Sequence, residues 1–308
     1  MSLQCREREP GMEGRLDGFL ARAEQVLERL EPWLPAQPQQ IDWQHCLAAR
    51  WQREGRHGSL RALQVRLDLR LDDLLGVDRQ RAQLEANTRQ FVAGLPANHA
   101  LLWGARGTGK SSLVRALLAA YGEAGLRLIE IERDDLADLP QVVAQLAGLP
   151  QRFVLFCDDL SFDAGEGDFR VLKSVLDGSL EQAPDNVLLY ATSNRRHLVP
   201  ERQSDNADWQ RVDGELHPSE AVEDKIALSD RFGLWLSFYP FSQPEYLAVV
   251  QHWIAALAAP CGLRWAWSEE LAREAIRWAQ GRGNRNGRCA YQFARHWVGR
   301  ALLDALPR

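Results

Sequence analysis

Eight consecutive residues, Gly104, Ala105, Arg106, Gly107, Thr108, Gly109, Lys110 and Ser111, place three glycines ahead of a cation and a hydroxyl. Glycine has no Cβ, so backbone of this composition can turn its N–H groups inward around an anion. The spacing satisfies G-x-x-x-x-G-K-[ST] in full. An apolar run, 100–103, leads into it and a helix-like run, 110–121, leads out, which is the context the motif requires. The helix N-terminus adds partial positive charge. Lys110 is expected to reach the β- and γ-phosphates of ATP, Ser111 to offer its hydroxyl to Mg2+, and Ser112 to follow on the same turn. The plainer alternative is a glycine-rich strand-to-helix turn that binds nothing.

A second constellation is acidic. Phe153, Val154, Leu155, Phe156 and Cys157 form an apolar run that ends in Asp158 and Asp159. A buried strand of this kind can hold a carboxylate beside the phosphate loop. Asp158 is expected to hold the metal's water shell and Asp159 to polarise the attacking water. Asp is one methylene shorter than Glu, which favours slow turnover; the alternative role for both acids is to cap a turn. The run 187–192 continues into Ser193, Asn194, Arg195 and Arg196. Asn194 is the candidate contact to γ-phosphate or water, with Thr192 in reserve.

These side chains need a scaffold. Short apolar runs at 100–103, 126–131, 153–157, 187–192 and 234–238 read as strands, and helical patterns at 110–121, 139–146 and 169–180 lie between the first four. That alternation predicts an α/β fold with a five-stranded parallel sheet buried on both faces. A helix is expected at 79–93, and a long polar loop at 200–221. The strands stop after Phe241. Three helices are expected at 244–257, 268–280 and 288–303, with Ser268 as an N-cap and Leu271, Ala275 and Trp278 on an inner face. Upstream, 13–31 reads as an amphipathic helix and 43–53 as an Arg-rich helical stretch ended by Gly55 and Gly58. The expected organisation is a helical N-terminal region (1–70), a nucleotide-binding core (71–241) and a C-terminal helical lid (242–308).

Bulk properties narrow the function classes. A net charge of −5 over 308 residues gives no general attraction to nucleic acid or anionic lipid. No apolar run is long enough to span a bilayer, and the charged start argues against a signal peptide. The five cysteines are scattered, as expected for reduced thiols in a cytoplasm and not for zinc or disulfides. Tryptophans near the C-terminus recur at helical spacing and read as core packing.

The order of phosphate loop, paired-acid strand, Asn-ended strand, arginine and helical lid resembles an AAA+ ATPase over about residues 74–303. The strings FCDDLSF (156–162), YATSNRRHL (190–198) and SDRFGLWLSFYPF (229–241) resemble a bacterial family of predicted ATPases, domain of unknown function 815. This resemblance implies the P-loop NTPase fold of the AAA+ type. It implies an arginine finger at Arg231 acting on a neighbouring subunit, against which stands an intrachain ion pair with Asp230 or Glu223. It implies a second sensor arginine at Arg288, with Arg285 as runner-up, and an adenine site near Leu75, Gly76 and Val77. Such sites belong to homo-oligomers, a hexameric ring or an open spiral. Mg2+-dependent ATP hydrolysis is the leading expectation. A nucleotide-gated switch with little turnover is one alternative. A nucleic-acid-dependent ATPase, suggested by Arg195, Arg196 and the basic C-terminal segment, is another. Nothing names a protein client.

Overall fold

The computed structural model describes residues 19–25, 41–54, 57–160, 172, 184–194, 210–212, 215–217 and 231–306. The chain divides into two compact units, Met1–Gln40 and Ile41–Arg308. In the first, residues 19–25 are helical, inside the span expected to be a helix. Most of the helix expected at 169–180, together with Arg195, Arg196, Glu223 and Asp230, lies outside the described residues.

The second unit is built on a seven-stranded sheet. Its strands are β1 (Ala48–Glu54), β2 (His57–Leu63), β3 (Ala100–Gly104), β4 (Leu126–Glu130), β5 (Arg152–Cys157), β6 (Val187–Ser193) and, last in sequence, β9 (Leu234–Phe238). The spatial order is β2-β1-β4-β5-β6-β3-β9. Within this sheet the β1–β2 pair is antiparallel and the others are parallel. Two short strands, β7 (Gln210–Val212) and β8 (Glu215–His217), pair separately, inside the stretch expected to be loop.

The five strands read from apolar runs are all present, and two more come from a region read as helical. Residues 43–53 do not form a helix: β1 extends the sheet beyond β4, and β2 pairs with it. Tertiary contacts override the helical pattern here. Ala49 and Trp51 are fully buried on one face and Ala48 on the other. Arg50 is neutralised across the sheet by Glu130 (2.8 Å), and Arg53 by Asp138 (2.6 Å). Gly58 does not end a helix. It sits in β2 opposite Arg53, and a Cβ there would fall 1.9 Å from the Trp51 ring.

Helices cover both faces. The described ones are α1 (Asp78–Val92), α2 (Lys110–Tyr121) and α3 (Leu139–Leu146), then α4 (Gln243–Ala258), α5 (Glu269–Gly281) and α6 (Gly287–Asp304). Burial of α2 through Leu113, Val114, Leu117 and Leu118 anchors the helix that leaves the phosphate loop. One core also takes in α4, α5 and α6 through Tyr246, Val250, Ala275, Phe293 and Ala294. Ser242 and Glu245 form a capping box that starts α4, and Ser268 caps α5 by accepting from Leu271 N at 3.2 Å. Trp278 packs edge-on to Phe293, within the C-terminal helices. No described helix is long and apolar enough to cross a membrane.

Candidate functional site

The parallel strands β3, β5 and β6 end side by side, and the loop after β3 turns back over those ends. Two of its turns admit only glycine. Gly104 has φ 128°, and a Cβ there would stand 2.0 Å from the Phe238 carbonyl oxygen on β9. At Gly107, φ 75°, a Cβ would stand 2.7 Å from Asn286 Nδ2. Gly109, φ 103°, takes the N-cap position of α2. The loop is therefore pinned from two directions, by β9 beneath and by the start of α6 above.

Lys110 is buried at 7% exposure. Its Nζ donates to Gly104 O and Ala105 O, both at 2.8 Å, and to Asn194 Oδ1 at 3.2 Å. Burial lowers its pKa; the nearby Asp158 and Asp159 oppose that shift. Ser111 Oγ donates to Asp158 Oδ1 at 2.6 Å, and Thr192 Oγ1 donates to the same oxygen at 2.5 Å. Thr192 Oγ1 also accepts from Asp159 N at 2.9 Å, so one hydroxyl fixes both acids. Asn194 Nδ2 donates to Asp159 Oδ1, and Arg106 faces Asp159 Oδ2 at 3.6 Å. Both acids are exposed, whereas Cys157 behind them is buried, its thiol pushed up to about 12 by burial and by Asp158.

The C-terminal helices complete the enclosure. Asn286 caps α6 by accepting from Cys289 N at 2.8 Å, and its Nδ2 donates to Arg106 O at 2.9 Å. Arg288 N donates to Gly107 O at 3.1 Å, and the Arg288 side chain faces the cleft. Arg285 plays a different part: its carbonyl accepts from Phe241 N at 3.1 Å. The cleft encloses about 750 Å³. Gly107 to Ser112 line it, with Asp158, Asp159, Thr192 and Asn194. Leu75, Val77, Phe241, Val249, Trp253 and Tyr291 form an apolar and aromatic end. Gly76, φ 76°, turns the chain between Leu75 and Val77, and a Cβ there would lie 3.2 Å from the Phe241 ring. Arg231 stands just before β9 and is not among the residues lining the cleft.

The structure thus brings together the loop, Lys110, Ser111, Asp158, Asp159, Asn194 and Arg288, and leaves Arg231 elsewhere. Sequence reasoning missed Asn286, Trp253 and Tyr291. Asn286 was findable, since Asn directly before a helix is a capping signal. Trp253 and Tyr291 come from different helices and meet edge-on at 4.9 Å, a pairing no linear spacing announces.

The site fits Mg2+ and a nucleoside triphosphate. Its volume lies in the range of small-molecule pockets. Glycines at 104, 107 and 109, all at positive φ, let backbone N–H groups turn toward phosphate. Ser111 and Asp158 offer hard oxygens, and Mg2+ coordinated partly by phosphates and water needs only one or two such protein ligands.

A family model described as protein of unknown function DUF815 matches residues 44–301. A comparison with curated proteins finds no match. Among solved structures, a variant of RuvB from Thermotoga maritima is 16% identical with a TM-score of 0.52, over 79% of this chain and 68% of that one. A second RuvB variant is 15% identical with a TM-score of 0.52, over 79% and 69%. The Orc1 protein of Aeropyrum pernix, solved in complex with DNA, is 15% identical with a TM-score of 0.53, over 76% of this chain and 62% of that one. The fold is that of a P-loop NTPase of the AAA+ type.

Proposed function

We propose that this chain, which belongs to the DUF815 family, binds ATP with Mg2+ in the cleft over β3, β5 and β6 and hydrolyses it within an oligomer. The observation that carries the reading is the convergence of Lys110, Ser111, Asp158, Asp159 and Asn194 on one glycine-built loop. Bound Mg2+ would polarise the β- and γ-phosphate oxygens and neutralise charge that develops on them. Ser111 and Asp158 would hold the ion. Lys110, released from the Gly104 and Ala105 carbonyls, would bind the phosphates. Asp159 would take the proton of the water that attacks the γ-phosphorus, and Asn194 would orient that water. Arg288 approaches from α6. Arg231, which does not line its own cleft, would serve the site of a neighbouring copy. Micromolar affinity, about −8 kcal/mol, would be ordinary for such a site.

Titration of the purified protein with ATP and Mg2+, with turnover followed over a range of protein concentrations, tests this. Saturable binding is expected, with a rate per subunit that rises with protein concentration. Arg231→Ala should keep binding and lose roughly 10³-fold in turnover. Failure of wild-type protein to bind ATP would sink the reading. A concentration-independent rate unaffected by Arg231→Ala would remove the oligomeric part.

A second reading, a slow nucleotide-gated switch, is favoured by one observation: both oxygens of Asp159 are already engaged. It predicts tight ATP binding with negligible steady-state turnover.

A further inference from the structure

Within the phosphate loop, Ser111 bonds to Asp158, the first acid after β5, and the Arg106 side chain faces the second, Asp159. Asp159 Oδ1 accepts from Asn194 Nδ2, and Asp159 Oδ2 faces Arg106 Nη2 at 3.6 Å. Asn194 Oδ1 in turn accepts from Lys110 Nζ at 3.2 Å. The loop's two cations are therefore both connected to Asp159, one directly and one through an amide. Asp159 also has φ 56°, the only positive φ at a non-glycine residue among the described residues. Backbone held in a sparsely populated region persists where its surroundings enforce it, and such places cluster at switches. Here the enforcing contacts are Thr192 Oγ1 on the Asp159 amide and the two partners of its carboxylate.

We propose that Arg106 is a gate that distinguishes nucleoside triphosphates from diphosphates: it holds Asp159 until a γ-phosphate draws it away. The proposal rests on the reading of the cleft as an ATP site and adds how that site is regulated. The Arg106 backbone is fixed, since Arg106 O accepts from Asn286 Nδ2 at 2.9 Å. Its side chain is 76% exposed and that of Asp159 58%, so the guanidinium can swing while the loop stays in place. An exposed ion pair of this kind is weak and yields easily, which a gate requires. A terminal phosphate offers more charge than one carboxylate and matches the guanidinium fork. With a diphosphate Arg106 stays on Asp159; with a triphosphate it moves, and one oxygen of Asp159 is free to accept a proton. A ligand shifts such an equilibrium only by its differential affinity for the two states, so the gate must appear in binding as well as in turnover.

The test is a double-mutant cycle on nucleotide affinity, with ATP and ADP as the probes and calorimetry as the readout. Asp159→Asn removes Arg106's competing partner. It should tighten ATP relative to ADP by roughly two- to five-fold, the range of an exposed ion pair. In an Arg106→Ala background the same substitution should change the ATP-to-ADP ratio little. Equal effects with and without Arg106 would overturn the gate, because loss of simple repulsion between Asp159 and the γ-phosphate does not need Arg106. An unchanged ratio in Asp159→Asn would overturn it too. If wild-type protein binds neither nucleotide, the ATP-site reading falls, and the gate with it. Thermal unfolding of each variant shows whether it is folded.

Discussion

Beside β1, near the β2 margin of the sheet, Asp138 accepts two hydrogen bonds from Arg53, at 2.9 and 2.6 Å, and a third from Trp51 Nε1 at 3.0 Å. At the strand ends beneath the phosphate loop, Asp158 accepts from two hydroxyls, Ser111 and Thr192. Both are aspartates beside a strand, but their partners differ in kind. The guanidinium holds the Asp138 carboxyl below the usual carboxylate range, with the Trp51 bond helping and burial opposing. Its charge is consumed by structure. Asp158 is exposed and bonded to neutral donors, which a metal ion or its water shell can replace without leaving a buried charge bare. A carboxylate saturated by a cation holds the fold together, and one bonded to hydroxyls remains available for chemistry.

The largest expected effect tests the structural half of that contrast. Asp138→Ala removes the acceptor of buried Trp51 Nε1 and the nearer carboxylate on Arg53, with Asp135 remaining at 4.0 Å. Removing the buried carboxylate of an ion pair is costly because its donors lose their acceptor. Arg53 is partly exposed and recovers some hydration, so the expected loss is about 3 kcal/mol of unfolding free energy. ATP affinity should stay within about twofold. Denaturant unfolding together with nucleotide titration checks both. A large loss of affinity would mean that the margin and the cleft are coupled, and the contrast would fail.

A second effect, smaller, sharpens the contrast with a half-buried group that carries no charge near neutral pH. His99 precedes β3, and its Nδ1 accepts from Leu189 N at 2.9 Å. Burial lowers its pKa from 6.5 to about 4. The folded state therefore binds this proton less readily than the unfolded chain. The stability contributed is complete above pH 6.5 and is lost as pH falls from 6.5 to about 4. The imidazole is only part-buried, so the loss expected across that window is about 2 kcal/mol rather than the full shift. Thermal unfolding against pH, compared with His99→Gln, measures it; equal slopes for the two proteins would refute it.

Asp158→Ala supplies the functional half. It should weaken Mg2+-dependent ATP binding or turnover about tenfold while leaving unfolding free energy within about 0.5 kcal/mol. If its main effect were on stability, Asp158 would belong with Asp138.

The same contrast explains what could be read from the sequence. The loop after β3, the strands β3 to β6 and β9, and the helices at 110–121 and 139–146 are legible because the chain's local pattern and its three-dimensional role agree. Phe153 to Cys157 are apolar because that strand is buried on both faces, and the glycines recur because Phe238 O and Asn286 leave no room for a Cβ. The β1–β2 hairpin was misread for the opposite reason. The stretch reads locally as Arg-rich and helical, but the partners of its arginines, Glu130 and Asp138, lie some 80 residues further on in sequence. Asp158, Asn194 and Lys110 could be read as members of one site, whereas the Arg106–Asp159 pairing could not, since it depends on how the loop folds back over β5.

The smallest expected effect concerns the aromatic part of the cleft lining. Trp253 on α4 stands edge-on to Tyr291 on α6, and both line the cleft with Val77, Phe241 and Val249. An apolar wall of this kind is suited to a base and indifferent to phosphate number. Stacking of a base on an aromatic side chain is worth about 1 kcal/mol or more. Trp253→Ala should then weaken ATP and ADP alike, by roughly fivefold, since 1.4 kcal/mol corresponds to a factor of ten. Inorganic tripolyphosphate, which has no base, should bind the variant and the wild type equally. That pattern differs from the one expected at Asp158, where Mg2+ and phosphates decide the outcome. If Trp253→Ala weakened tripolyphosphate as much as ATP, the aromatic end would be shaping the phosphate loop through α4 and α6 rather than holding a base. The division of the cleft into an exchangeable charged end and an apolar end would then be wrong.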